Sequence, residues 1–229
     1  MKKKPLNIAI RVDANDLIGG GHFMRCLSLA EEMKAQNHKI LVVSTSLPVK
    51  MRQMLTKLGL SYKIIGSFGP REKNQEIQCN DSYGNWLKIQ KHQDAEETNK
   101  VLLGFRPDWI ILDNYALDFQ WTIEVRKCLG NVSLLAIDDL DNRNLGTEFI
   151  LDQTSLFKRK RKYKSMTVLE GPSFSLLKKS FRDLRSKSIT ERSKRLERVG
   201  ILKNFSILIC IGMYDPQRIL PNLLQATAI

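Results

Sequence analysis

Ile18-Gly19-Gly20-Gly21-His22-Phe23-Met24-Arg25-Cys26, IGGGHFMRC, follows the apolar run NIAIRVD (7–13) and opens an amphipathic pattern that continues to about Ala35. It reads as a strand, a glycine-rich turn and a helix with a histidine in its first turn. Glycine permits φ > 0 in such a turn and lets a ligand approach the backbone, while the unpaired N–H groups of a helix start favour an anion or a polarised oxygen. A neutral imidazole placed there can accept a proton, so His22 is a candidate general base. The same four residues also suit a plain tight turn closed by a loop histidine, and the rest of the chain has to decide between the two.

Outward from this unit the alternation repeats. KILVVS (39–44) precedes VKMRQMLTKLG, SYKIIG (61–66) precedes a polar helical pattern from about Trp86 to Leu103, and WIILDNY (109–115) precedes a helix near Phe119 to Cys128. VSLLAIDD (132–139) and EFILDQ (148–153) follow as further strands. Strands separated by helices of this length predict right-handed β-α-β units in a doubly wound, Rossmann-like parallel sheet of the α/β class. Ligands of such sheets bind beyond the carboxyl ends of the strands. That rule gathers Asp13, Asn15, the Gly19 to His22 turn, Asp113, Asn114, Tyr115, Asp138 and Asp139 on one edge, although each aspartate alone also suits a helix cap or a turn.

The 229 residues, 42% of them hydrophobic, suffice for one large or two small domains. The lysines of MKKKPLNIAIRVDAN precede an apolar stretch that is short, interrupted by Pro5 and Arg11, and without a small-residue cleavage site, so no signal peptide is expected. No run approaches the roughly 20 apolar residues that span a bilayer. Cys26, Cys79, Cys128 and Cys210 are scattered without a C-x-x-C pair, which argues against a zinc site and a disulfide framework. A cytoplasmic setting and no metal are expected. The net charge of +13 resides largely in KRKRKYK (158–164) and in residues 178–198. Without a recognised nucleic-acid motif or interleaved aromatics, these read as solvated surface, and no nucleic-acid or membrane partner is expected. G-x-G-x-x-G and P-loop patterns are absent, which weakens a dinucleotide reading.

Residues 186–198 read as a charged helix or linker. A new strand is expected at FSILICIG (205–212), with Gly212, Asp215 and Pro216 forming the following turn. One strand and one helix cannot bury a core. The expected organisation is therefore a domain over 1–185, a linker over 186–204, and the start of a second domain over 205–229.

Taken together, R-x-D-A-N-x-x-I-G-G-G-H-x-x-R-C-L-x-L-A (11–30), D-N-Y-x-L-D-x-x-W (113–121), I-D-D-L (137–140), L-D-Q (151–153), G-P-x-F-x-L-L (171–177) and I-C-I-G-x-x-D-P (209–216) resemble the UDP-2,4-diacetamido-2,4,6-trideoxy-β-L-altropyranose hydrolase family of pseudaminic acid biosynthesis. That family is similar to spore-coat polysaccharide proteins and to GT-B glycosyltransferases, which have two facing Rossmann-like domains. The resemblance implies that the chain is the N-terminal half of a GT-B-like architecture that hydrolyses a UDP-sugar at its anomeric carbon, with no metal and no cofactor. It implies His22 as the base that activates water. Asp13, Asn15, the backbone of Gly19, Gly20 and Gly21, Asn114 and Tyr115 are the candidates for holding the sugar or the water. Arg25 either reaches the diphosphate or braces Asp13.

Two departures stand out. The family's G-G-x-D is Gly212-Met213-Tyr214-Asp215 here, and the domain expected to grip uridine is represented only by its first residues, which leaves room for a separate chain carrying the rest. The alternatives are a UDP-sugar glycosyltransferase, since the same cleft serves water or a sugar hydroxyl, and a non-catalytic sugar-binding remnant.

Overall fold

A computed structural model describes residues 4–66, 83–154, 156, 161, 167–196, 208–210, 212, 215 and 218–227. The basic run 158–164, of which only Arg161 is described, and half of FSILICIG (205–207 and 211) lie outside these residues.

Seven parallel strands form one sheet: β1 (Asn7–Val12), β2 (Lys39–Ser44), β3 (Ser61–Ile64), β4 (Trp109–Asp113), β5 (Ser133–Ile137), β6 (Phe149–Asp152) and β7 (Thr167–Glu170), in the order β3-β2-β1-β4-β5-β6-β7. Helix α1 (Gly21–Ala35) links β1 to β2 and α2 (Val49–Lys57) links β2 to β3, while α3 (Lys91–Phe105) lies on the crossover from β3 to β4 and α4 (Phe119–Leu129) links β4 to β5. This is the expected Rossmann-like α/β sheet. β1 pairs with β2 and with β4, so the strand order reverses at β1, where a doubly wound sheet opens its binding crevice.

Strand alternation assigns the faces. Ala9, Leu41, Val43, Ile110, Leu112 and Leu134 pack with Ala95 and Leu102 of α3 and with Trp121 and Val125 of α4 in one core cluster. The intervening residues Ile8, Ile10 and Val12 are buried toward the opposite face, as are Phe23, Leu27 and Ala30 of α1. Burial on both faces explains why these strands read as continuous apolar runs.

Local signals set the helix ends. Gly19 takes φ +78 in the turn before α1. Asp118 caps α4 by accepting Gln120 N–H at 3.0 Å, and Gly130 ends that helix at φ +68. The helical pattern expected from Trp86 begins only at Lys91. Trp86 instead closes a single 3-10 turn, Gly84–Trp86, because the chain then runs extended through Leu87, which is buried in the core. Strand β7 is not evident in the sequence: TVLE is short and its ladder partner β6 supplies most of the pattern that defines it.

Residues 1–176 form one compact unit and residues 177–229 a second. In the second, α5 (Lys179–Leu196) is exposed at every described side chain, as a solvated basic helix should be. The expected boundary at residue 185 falls within this continuous helix. Leu208, Ile209 and Cys210 are in no strand, and α6 (Ile219–Thr227) is capped by Asp215, whose carboxylate accepts Ile219 N–H at 2.8 Å and Leu220 N–H at 2.9 Å.

Candidate active site

The turn between β1 and α1 is shaped by Asn15. Its backbone carbonyl accepts Gly19 N–H at 2.8 Å, and its side-chain oxygen accepts Leu17 and Ile18 N–H at 2.9 Å each. Ala14 N–H donates to Ser46 carbonyl at 2.8 Å, tying this turn to the loop after β2. Gly20 is the residue before α1, and no side chain caps the helix start. Gly21 is exposed, and a Cβ there would meet nothing within 4 Å, so the fold itself does not require glycine at this position. The first turn of α1 is thereby left open to the outside.

His22 is the best-defined group at this edge. Its Nδ1 lies 2.6 Å from Asp113 Oδ1, at the carboxyl end of β4, 91 residues away in sequence. Arg25 donates through Nε to Asp113 Oδ2 and through a terminal nitrogen to Oδ1, each at 2.6 Å, and the same terminal nitrogen is 3.0 Å from His22 Nδ1. Cys26 Sγ donates to Oδ2 at 3.3 Å. Residues 22, 25 and 26 occupy one helical face, as i, i+3 and i+4 positions must, and together they surround the carboxylate.

Burial opposes ionisation of Asp113, but the hydrogen bonds from Arg25 and His22 more than offset it, and its pKa falls below the ordinary 3.8. With the carboxylate ionised, a 2.6 Å separation from Nδ1 requires a proton between them. We therefore assign that proton to Nδ1, so that Nε2 is the nitrogen left to exchange a proton with a substrate or water.

Two aromatic rings flank the imidazole. Trp86 and Tyr115 stack at 5.1 Å, and His22 meets each edge-on, at 5.2 and 4.7 Å between centroids. Tyr83 completes the cluster against both Trp86 and Tyr115. The Tyr115 hydroxyl donates to Asp139, and burial followed by this bond raises its pKa. Arg143 lies over the Tyr115 ring and binds the carbonyl of Leu117, holding the loop after β4 in place.

Asp13 and Asn114 take a different position from His22. Asp13 is buried, and its carboxylate accepts from Ser44 Oγ and Thr45 N–H, each at 2.7 Å, and from Asn114 Nδ2 at 2.8 Å, with Arg11 at 2.7 Å. Arg11 also pairs with Asp94 of α3, which accepts the Trp121 indole N–H at 2.8 Å. The bracing cation of Asp13 is thus Arg11, not Arg25 as the sequence allowed. The reason is alternation: Asp13 continues the Ala9 and Arg11 face toward α3 and α4, whereas Arg25 lies on α1, across the sheet.

The structure therefore brings His22, Gly21, Arg25 and Tyr115 to the edge of the crevice and places Asp13, Asn15 and Asn114 behind it as the supports of its walls. Sequence reasoning placed Asp113 on this edge without assigning it a particular role, and passed over Trp86 and Tyr83. The position of Asp113 at a strand end was a signal for the first. Nothing local marked the two aromatics. Among the described residues, no group of three or more histidine, cysteine or acidic side chains is arranged to hold a metal ion. No described helix is long and apolar enough to cross a membrane.

Fold and site define an α/β protein with a doubly wound parallel sheet and a His–Asp pair at its switch point. No protein-family model matches the chain, and no curated protein matches it. Among solved structures, a glycosyltransferase from Rickettsia africae ESF-5 is similar at 14% identity and a TM-score of 0.40, over 59% of this chain and 30% of that one. MurG from Acinetobacter baumannii is similar at 12% identity and 0.44, over 72% and 44%. Phosphoribosylglycinamide formyltransferase from Brucella melitensis follows at 16% and 0.36, over 59% and 58%. The chain thus spans less than two thirds of each of these proteins, and likenesses this low assign no activity.

Proposed function

We propose that this chain carries the water-activating half of a UDP-sugar hydrolase acting on a UDP-linked 2,4-diacetamido-2,4,6-trideoxy sugar. The observation that supports it is the oriented His22: its Nδ1 lies 2.6 Å from the Asp113 carboxylate, which turns Nε2 away as the acceptor, beside an uncapped helix start. In this reading Nε2 takes a proton from water as the water oxygen bonds to the anomeric carbon. The bond from that carbon to the diphosphate oxygen breaks, and its electron pair leaves with UDP. The N–H groups at the start of α1 receive part of that negative charge, an arrangement that favours the transition state because the dipoles are already oriented.

Gly21, with its open backbone, and Tyr115, beside the imidazole, are the contacts to the sugar. Asp13, Asn15 and Asn114 hold the turn and the loop that carry them. The family resemblance assigns the grip on uridine to a second domain, and this reading adopts that division of labour. The reaction calls on no metal and no cofactor.

Incubating the protein with the UDP-sugar and following UDP and free sugar by NMR tests this. UDP release without any acceptor supports hydrolysis. Release that requires an added sugar acceptor makes the protein a glycosyltransferase, and sugar-dependent shifts of the His22 ring without release make it a binding module.

A further inference from the structure

We infer that Arg25 is a positioning residue for the His22 ring and not a receptor for the diphosphate. The inference rests on His22 acting as the base, but it is decided by the state of the ring itself.

The guanidinium meets Asp113 as a fork, Nε on Oδ2 and a terminal nitrogen on Oδ1, both at 2.6 Å, and this planar two-point contact fixes the carboxylate in rotation as a single contact would not. The Arg25 side chain is only 12% exposed and two of its three guanidinium nitrogens are held by the carboxylate, which leaves little of it to face an anion in the crevice. Fixing the carboxylate plane directs Oδ1 at His22 Nδ1, which selects the Nδ1–H tautomer and leaves Nε2 as the acceptor. The terminal nitrogen also sits 3.0 Å from Nδ1, so a second proton on the ring would bring two positive charges together. The other groups facing the ring are Tyr115 from the loop after β4 and Trp86 from the 3-10 turn. Cys26 touches it only through Asp113. Arg25 is therefore the one cation in direct contact with the His–Asp pair among the described residues. A lysine could supply the charge but not the fork.

Nitrogen-15 NMR of the imidazole reads this directly. The wild-type ring is expected as a single Nδ1–H tautomer. In Arg25→Gln and Arg25→Lys that single tautomer is expected to be lost to a mixture. UDP release should fall by about 10²-fold in kcat with KM changed by no more than about threefold, and guanidinium ion should restore part of it in Arg25→Gln. An unchanged ring in both variants overturns the inference. So does weakened UDP binding with the ring intact, which makes Arg25 an anion receptor. Should the variants fail to fold, the Arg25 Nε–H resonance of the wild type still decides: it is expected to stay in place on titration with UDP, and a large displacement refutes the positioning role. Absence of UDP release by the wild type would count against the hydrolase reading alone, since the ring measurements do not depend on turnover.

Discussion

Asp113 and Asn114 are neighbours in the chain, yet they serve opposite faces of the sheet. Asp113 receives His22 and Arg25 of α1, whereas Asn114 donates to Asp13 at 2.8 Å on the side of α3 and α4. A strand turns successive side chains to opposite faces. One dipeptide at the end of β4 therefore orients the proposed base and locks the strand ends that carry it.

Replacing His22 by Asn keeps a polar side chain at Nδ1 distance from Asp113 but removes the acceptor at the Nε2 position. UDP release is expected to fall by about 10²–10⁴-fold, the usual contribution of a general base. Circular dichroism and the urea midpoint should be nearly unchanged. Turnover equal to the wild type would remove His22 from the reaction.

Asp13→Asn attacks the support behind the site. The carboxylate neutralises buried Arg11 and accepts from Ser44, Thr45 and Asn114, and breaking a buried ion pair by removing one partner costs about 3–5 kcal/mol. Arg11 retains Asp94 in the variant, so a loss near the lower end is expected. Urea unfolding should show a lower midpoint at unchanged slope. A shift of the midpoint too small to measure would show that Asp13 is not a structural support.

Acid stability should depend on Asp113. Its folded pKa is depressed below 3.8, despite burial, by Arg25 and His22, so the unfolded chain takes up its proton first as pH falls. The resulting stabilisation is complete above the ordinary carboxylate value and is lost as pH drops below 3.8 through the folded pKa. Asp113→Asn should be less stable than wild type at neutral pH, and the difference should narrow at acidic pH. Urea midpoints measured at pH 7 and pH 3 check the sign, and a gap that widens on acidification contradicts it.

Cys26 should be inert although it lies next to the proposed base. Burial, and then the charge of Asp113, raise its thiol pKa well above 9.0, which suppresses the reactive thiolate. Cys128 is exposed. With iodoacetamide at pH 8, mass spectrometry should find Cys128 alkylated while Cys26 remains unmodified until the protein is denatured. Early labelling of Cys26 would mean that the core around Asp113 opens readily.

Much of the sheet is legible without coordinates. β1, β2, β4 and β5 are apolar runs bounded by turn residues, and α1 and α4 carry a buried face at helical spacing, because both periodicities arise from residues a few positions apart. The same rule places Asp13, His22 and Asp113 at one edge of the sheet. Local pattern also explains what was missed: β7 has four residues and is defined by its ladder with β6, and the extended stretch that delays α3 to Lys91 depends on where Leu87 is buried.

Which polar group meets which was decided only by the tertiary structure. His22 and Asp113 are 91 residues apart, and Arg11 and Asp94 are 83 apart. Both contacts exist because β4 pairs with β1 and not with β3, and that strand order has no signature in either segment. Sequence placed Asp13, Asp113, Asp138 and Asp139 at one edge near His22 and Arg25 with no means of matching them. Packing resolved the match, because a charge removed from water must find its partner on the face to which its strand or helix turns it. Arg11 therefore belongs to Asp13 and Asp94, and Arg25 to Asp113.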